Sequence, residues 1–168
     1  MAYTIYDASI PVMIRTLSSL SKIIDKAVAQ AKAQDTPLSE LLEARLAPDM
    51  HPFPRQIQIA SDAAKGAAAR LAGLEAPGMA DTETTFAELQ TRIARTIDFL
   101  KSVAPAQLAG AEDREITLKF PNGEMKFTGR DFLGNFALPN FFFHVTTAYG
   151  LLRHKGIAIG KMDFLGGA

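Results

Sequence analysis

The sequence predicts a mainly helical protein, a four-helix bundle that carries one small β-hairpin before its last helix. Four long segments repeat apolar residues three and four positions apart, which is the spacing of one buried helical face. One short stretch instead alternates apolar and polar residues around an Asn-Gly pair. Amphipathic helices joined by loops favour a bundle. A chain of 168 residues fits one domain, residues 1–168.

The first half of the chain predicts two long helices with a short one between them. The first long helix covers residues 9–33, or begins already at Ile5 and bends at the proline that follows. A short helix is expected at residues 38–46, and a proline-rich connection then leads to the second long helix, residues 54–74. This second helix is rich in alanine, the best helix former, so another helix can approach it closely.

The third helix and the hairpin follow. Residues 85–103, possible from residue 82 onward, carry a regular apolar stripe. Residues 114–128 alternate, and Asn122-Gly123 within them is the strongest short signal for a hairpin turn. This pair of strands is the one sheet that the sequence predicts.

The last helix is expected at residues 130–155 and contains Pro139. Proline removes one hydrogen bond of the helical ladder and crowds the carbonyl of Asn135, so a kink is expected there. The tail, residues 157–168, has no periodic pattern and predicts no further element.

The composition argues against several classes of function. The chain has no cysteine, so it forms no disulfide, thiolate metal site or cysteine nucleophile, which suits a reducing cytosol. Lys+Arg and Asp+Glu are both 18, and the basic stripe of a nucleic-acid-binding protein is missing. No secretory signal precedes the first helix, and no segment approaches the roughly 20 apolar residues that span a membrane. We therefore expect a cytoplasmic protein that binds neither nucleic acid nor membrane.

One polar cluster interrupts the apolar last helix. Asn140, His144 and Thr147 are spaced four and three residues apart, so they share one helical face. A buried polar group must find partners. The cluster therefore either forms hydrogen bonds across the core or binds a ligand, and we expect His144 to point beside Asn140 into a cavity lined by the second long helix.

The other two histidines differ in their relation to this cluster. His154 lies about 80° around the helix and about 15 Å along it from His144, so one metal ion cannot reach both. His154 instead suits the negative end of the helix dipole. His51, in the proline-rich connection, either folds over one end of the bundle towards His144 or lies on the surface. Gln56, on the first turn of the second long helix, is a further polar candidate.

Catalytic signatures give no further direction. The sequence contains no Gly-x-Ser-x-Gly elbow, no phosphate-binding glycine loop and no His-Glu-x-x-His motif. Asp62 and Lys65, three residues apart on one predicted helix, suggest a surface ion pair of little energetic weight. The sequence therefore assigns no reaction to the chain.

Several motifs along nearly the whole chain carry a resemblance to a known family. They are residues 5–9, 46–50, 64–71, 84–89, 138–144 and 160–164. In these segments the chain resembles a bacterial family defined as a domain of unknown function, within the DinB/YfiT-like superfamily. The resemblance implies an up-down-down-up four-helix bundle. It also implies a homodimer and, as in many members, a divalent metal held by three histidines, with thiol-dependent transferase or hydrolase activity in some branches.

The resemblance carries over to individual positions only in part. Two of the superfamily's metal-binding histidines lie four residues apart on the last helix, where this chain has Asn140 and His144. The third comes from the second long helix, where Gln56 or a neighbour stands, with His51 several residues earlier. The resemblance thus implies His144, Asn140, Gln56 and His51 as candidate ligands, an incomplete set, for zinc or nickel.

Two hypotheses follow for function. In the first, the bundle keeps a central pocket in which His144 and Asn140 bind a small molecule, with or without a divalent metal. His144 would then serve as a ligand or as a general base, because imidazole titrates near neutrality. In the second, the chain is a non-catalytic dimeric bundle in which the polar cluster fixes the packing of the helices. Its alanine-rich second and phenylalanine-rich last helices would supply the dimer face.

Overall fold

The computed structural model of the chain describes residues 3–167 and confirms the predicted bundle. Four long helical stretches form it, and a two-stranded antiparallel hairpin precedes the last of them. The elements in chain order are α1 (Ile10–Ala33), α2 (Leu38–Leu42), α3 (Phe53–Ala72), α4 (Phe86–Ser102), two 3-10 turns (Pro105–Leu108 and Ala111–Asp113), β1 (Glu115–Phe120), β2 (Gly123–Thr128), α5 (Gly129–Asp131), a π-helical segment (Phe132–Ala137), α6 (Leu138–His154) and α7 (Lys161–Leu165).

The directions of the helices follow from contacts near their ends. The first residues of α3 and α4, Phe53 and Phe86, pack with their ring centroids 5.6 Å apart, so these two helices run parallel. At the other end of α3, Leu71 lies beside Gly129, where the last helical stretch begins. That stretch is therefore antiparallel to α3.

The first helix completes the bundle. α1 packs against α4 and α6, while α3 packs against α4 and α6. The residues just before α1 line one cavity together with Leu108, beyond the end of α4, and with Leu133 and Leu138 of the last stretch. α1 therefore runs with the last helix and against α4, which is the up-down-down-up order that the resemblance implies.

The boundaries of the helices reflect local chemistry. Thr85 caps α4, because its hydroxyl accepts from the backbone N–H of Glu88 while the Glu88 carboxylate accepts from that of Thr85. α3 ends at Gly73, whose φ of 70° lies in the left-handed region that glycine adopts without steric cost. The short α2 ends at Leu42, earlier than the sequence predicts.

The last helix differs from the prediction at its proline. Instead of a simple kink, the six residues Phe132–Ala137 form a π-helical segment, in which the N–H of Leu138 donates to the carbonyl of Leu133, five residues back. A π turn contains one residue more than an α turn, which moves the preceding carbonyls away from the ring of Pro139. The extra residue also rotates the side chains before the segment relative to those after it.

Two further predictions needed correction. Pro121 and Asn122 form the hairpin turn, and Gly123, with φ of 143°, is already paired with Phe120. An Asn-Gly turn would make Pro121 the last strand residue before the turn, but proline has no backbone N–H to donate across the hairpin. The tail is not without structure, because α7 packs against α1 and its Asp163 forms an ion pair with Lys26.

The alanine-rich helix is buried within the chain itself. Every residue of α3 from 64 to 69 is buried, because α4 packs on one side of it and the last helix on the other. This stretch of α3 is covered by helices of the same chain, and the dimer face that the sequence suggests stays a prediction. The exposed aromatic side chain on the last helix is Phe143, with 56% of its surface accessible.

Candidate functional site

The polar residues of the last helix lie at the edge of its buried face. Phe141, Val145 and Ala148 form the centre of that face and are at most 1% exposed. Asn140 and His144 are each one position, or about 100°, away from this line and are half-buried. Their side chains are therefore next to the core rather than in it.

His144 makes its main contact with the second long helix. Its Nδ1 lies 2.7 Å from Oε1 of Gln56. The amide of Gln56 is oriented by a second hydrogen bond, because its Nε2 donates to the backbone carbonyl of His51 at 3.0 Å. A carbonyl can only accept, so Oε1 is the atom that faces His144 and Nδ1 of the imidazole must donate.

This geometry determines the tautomer of His144. With the proton on Nδ1, the neutral ring has a free lone pair on Nε2. Nε2 has no hydrogen-bond partner among residues 3–167, and it is not among the buried polar atoms there. The ring of Phe143 packs edge-on against the imidazole, with centroids 5.1 Å apart. His144 thus offers one accessible hydrogen-bond acceptor.

The surroundings of His144 favour its neutral form. Burial lowers the pKa of the imidazole below its ordinary value of 6.5, and the proximity of His51 and Arg55 lowers it further. The neutral form of the ring is therefore favoured. Because this pKa is lower in the folded than in the unfolded state, the unfolding free energy decreases as the pH falls below about 6.5.

Asn140 faces a different space from His144. It lines a cavity of about 250 Å³ between α3, β1 and the π-helical segment, and His144, Gln56 and His51 are not among the residues around that cavity. The amide of Asn140 has no hydrogen-bond partner in the described part of the chain, which leaves a donor and an acceptor at the cavity wall. The expectation of one pocket shared by Asn140 and His144 therefore needs correction.

The structure does not bring the four candidate ligands together around one point, because Asn140 lines a separate space. His51 is exposed and contributes its backbone carbonyl to Gln56, whose Oε1 is used by His144. Thr147 bonds within its own helix, to the carbonyl of Phe143. In residues 3–167, no group of three or more His, Cys, Asp or Glu side chains is placed to hold a metal ion. A three-histidine zinc or nickel centre does not fit these residues.

A buried arginine that the sequence did not indicate lies behind the cavity. The side chain of Arg92, on α4, is 1% exposed. Its Nη2 lies 2.8 Å from Asp62 and 3.0 Å from Asp81. Its Nη1 lies 2.9 Å from Glu83 and donates to the carbonyl of Ala80 at 3.1 Å. Arg92 thus ties α3 and the loop before α4 to α4 itself.

The Arg92 network also changes the interpretation of Asp62. Burial alone lowers the pKa of Arg92, but Glu83, Asp62 and Asp81 outweigh burial and raise it above its ordinary value. Asp62 also lies 3.0 Å from Lys65, whose side chain is only 11% exposed. The expected surface ion pair is therefore part of a network around the buried Arg92, in which Asp62 is paired with both Arg92 and Lys65.

The sequence contains a weak signal for this network. Arg92 directly precedes the apolar Ile93 of the α4 stripe, and the loop before α4 is acidic, with Asp81 and Glu83. An arginine next to a buried face, preceded by carboxylates, can be paired in this way. Charged residues beside a stripe are, however, usually solvated, so the pattern does not separate the two cases.

These features define a class of protein, a DinB-like helical bundle whose site residues depart from a metal centre. The crystal structure of a DinB family member protein from Shewanella denitrificans, solved at 1.83 Å, matches this fold with a TM-score of 0.90. The two chains are 41% identical, over 97% of this chain and 92% of that one. The family model described as "Domain of unknown function (DUF1993)" matches residues 5–165. The chain belongs to this family.

Two further findings concern curated proteins and membrane spans. No curated protein is similar to the chain at a significant level. Within residues 3–167, none of the helices has the length and apolar character needed to cross a membrane.

Proposed function

We propose that this chain is a DinB-like protein that binds a small molecule in the Asn140 cavity without the help of a metal ion. The single observation that carries the proposal is the unpaired amide of Asn140 at the wall of a cavity of about 250 Å³. A ligand site typically combines an apolar wall with a few polar groups that orient the ligand. The apolar wall here includes Phe132 and Phe136, which stack with centroids 6.1 Å apart.

The π-helical segment supports a ligand role for this cavity. Phe132, Phe136 and Ala137 belong to that segment and line the cavity. Single π-helical turns occur frequently at functional sites, where the extra residue redirects side chains.

The His144–Gln56 pair supports a site that needs no metal. Oε1 of Gln56 accepts the hydrogen bond from Nδ1 of His144, so only Nε2 of the imidazole is available to a ligand. A single neutral imidazole is a weak site for zinc or nickel, which usually take three or more protein ligands. His144 lies about 6 Å along the helix from Asn140 and is not among the residues that line the Asn140 cavity. No step of a reaction is assigned to it.

The proposal is tested by titrating the protein with benzamide while recording two-dimensional NMR spectra. Benzamide combines a flat apolar ring with an amide that can pair with Asn140. We expect it to shift the side-chain NH₂ signals of Asn140 and the backbone signals of residues around the cavity. Ala63→Phe, which fills the cavity, should abolish these shifts, because Ala63 lines it.

The control for this experiment is Ala94→Phe, which adds the same ring to an exposed position on α4. This variant should bind benzamide like the original protein. Shifts that persist in Ala63→Phe, or the absence of shifts at saturating benzamide, would contradict ligand binding in the Asn140 cavity.

A second candidate function is a non-catalytic homodimer. Two observations favour it. Nδ1 of His144 and Oε1 of Gln56 already form a hydrogen bond within the chain, and Phe143 beside them exposes 56% of its surface. A second copy covering Phe143 would remove this apolar surface from water. Under either candidate we place the protein in the cytoplasm, a proposal that the absence of cysteine supports.

A further inference from the structure

The Asn140 cavity carries an excess of positive charge. Arg70 of α3 and Lys119 of β1 are among its lining residues, and Asp62 is the one acidic side chain there. Asp62 is already paired with Arg92 at 2.8 Å and with Lys65 at 3.0 Å. Within the described residues, Arg70 and Lys119 have no carboxylate within ion-pair distance. Two uncompensated cations therefore border a cavity whose carboxylate is occupied.

A glycine one turn earlier leaves room for the side chain of the exposed Arg70. A Cβ atom on Gly66 would lie 2.5 Å from Nη1 of Arg70, which is too close for any real contact. The guanidinium thus lies directly over the backbone of Gly66, along the surface of α3. No other side chain or backbone atom within 4 Å restricts a Cβ at this position. The absence of a side chain at Gly66 is what leaves room for this position of Arg70.

The rest of the wall is aromatic. Phe120, on β1, is 44% exposed and packs edge-on against Phe136, with centroids 6.4 Å apart. Phe132 and Phe136 stack on the other side. Flat rings favour stacked or edge-to-face partners with such spacings. A space of about 250 Å³, comparable to roughly eight water molecules, suits a single-ring compound.

We propose that the ligand of this cavity is a small aromatic carboxylate, with its ring against the phenylalanines and its carboxylate facing Arg70. This inference rests on the proposed function, since it names the chemical class of ligand for the same cavity. Guanidinium binds carboxylates through paired, charge-assisted hydrogen bonds. The amide of Asn140 donates to the same anion or orients it, and Lys119 adds a second positive charge.

The test compares benzoate with benzamide, which have the same shape and differ in charge, by NMR titration of the full chain at constant ionic strength. We expect benzoate to bind about tenfold more tightly than benzamide. Arg70→Gln should remove this preference, so that the variant binds benzoate and benzamide with similar affinity. Arg95→Gln, at an exposed arginine of α4 away from the cavity, should retain it.

Gly66→Ala provides a second variant that does not depend on removing a charge. Its Cβ should displace the flexible end of Arg70, so the preference for benzoate should fall as in Arg70→Gln. Folding should not suffer, because alanine is the better helix former. Equal binding of benzoate and benzamide by the unmodified protein, or an unchanged preference in Arg70→Gln, would overturn the proposed carboxylate site but not the proposal that the cavity binds a small molecule. Failure of both compounds to bind would overturn both proposals.

Discussion

Replacing Arg92 by alanine is expected to lower the unfolding free energy by about 3 kcal/mol. The guanidinium is 1% exposed and faces Asp62, Asp81 and Glu83, so its removal leaves carboxylates without their partner. Loss of one member of a buried pair costs about 3–5 kcal/mol. The lower end applies here, because Asp62 and Asp81 are 40% and 37% exposed and regain water. The buried Nε of Arg92 has no hydrogen-bond partner in the described residues, which reduces the net stabilisation that the network provides.

Thermal or urea unfolding of Arg92→Ala measures this effect, which should appear as a decrease in Tm of roughly 6–12 °C. Arg95→Ala is the matched control, because Arg95 lies one turn further along α4 and is exposed. It should change stability by less than about 0.5 kcal/mol. Similar effects of the two substitutions would mean that the Arg92 network does not hold the loop before α4.

Replacing Gly129 by alanine is expected to cost about 3 kcal/mol, at the upper end for overpacking. A Cβ at this position would lie 1.8 Å from the backbone oxygen of Ala111 and 3.3 Å from Leu71. Ala111 is fully buried, so its carbonyl cannot move aside as a flexible side chain would. The hairpin or the start of the last helix must shift instead. That shift would also disturb the Asn140 cavity, which β1 and the π-helical segment line.

The control for this substitution is Gly134→Ala, five residues later in the π-helical segment. No atom lies within 4 Å of a Cβ built there, so the substitution meets no obstacle. The unfolding free energy of the Gly134→Ala variant should stay the same or rise by up to about 1 kcal/mol, since alanine restricts the unfolded chain and favours the helical conformation. Urea unfolding of both variants gives the comparison. A Gly129→Ala variant as stable as Gly134→Ala would contradict the close approach of the two backbones.

The helices could be predicted from the sequence because their apolar spacing is dictated by burial. The stripe from Phe86 to Leu100 on α4 is an example, as is the pair of strands around Asn122. The hairpin turn itself was misplaced by one residue, because the Asn-Gly signal competes with Pro121, which has no backbone N–H to pair across the hairpin. The turn preferences of neighbouring residues compete, and the sequence does not show which preference dominates.

The site could be predicted only in part. The periodicity indicated that His144 and Asn140 face the second long helix, and Gln56 was a candidate partner. The space that Asn140 lines is, however, closed by β1, whose position beside the last helix has no local sequence pattern, so the separation of Asn140 from His144 could not be predicted. The burial of Arg92 depends on three carboxylates that come together only in the folded chain. Long-range pairing of charges has no local signature.

The proposal that the site needs no metal ion depends most on a neutral His144 ring whose Nδ1 donates to Gln56 on the second long helix. Nitrogen-15 NMR of the histidine rings, recorded as the pH is lowered, measures both properties directly. We predict that Nδ1 of His144 carries the proton at neutral pH, that Nε2 shows the shift of an unprotonated nitrogen, and that the pKa lies below 6.5. A proton on Nε2, or a ring that is already charged at neutral pH, would contradict it.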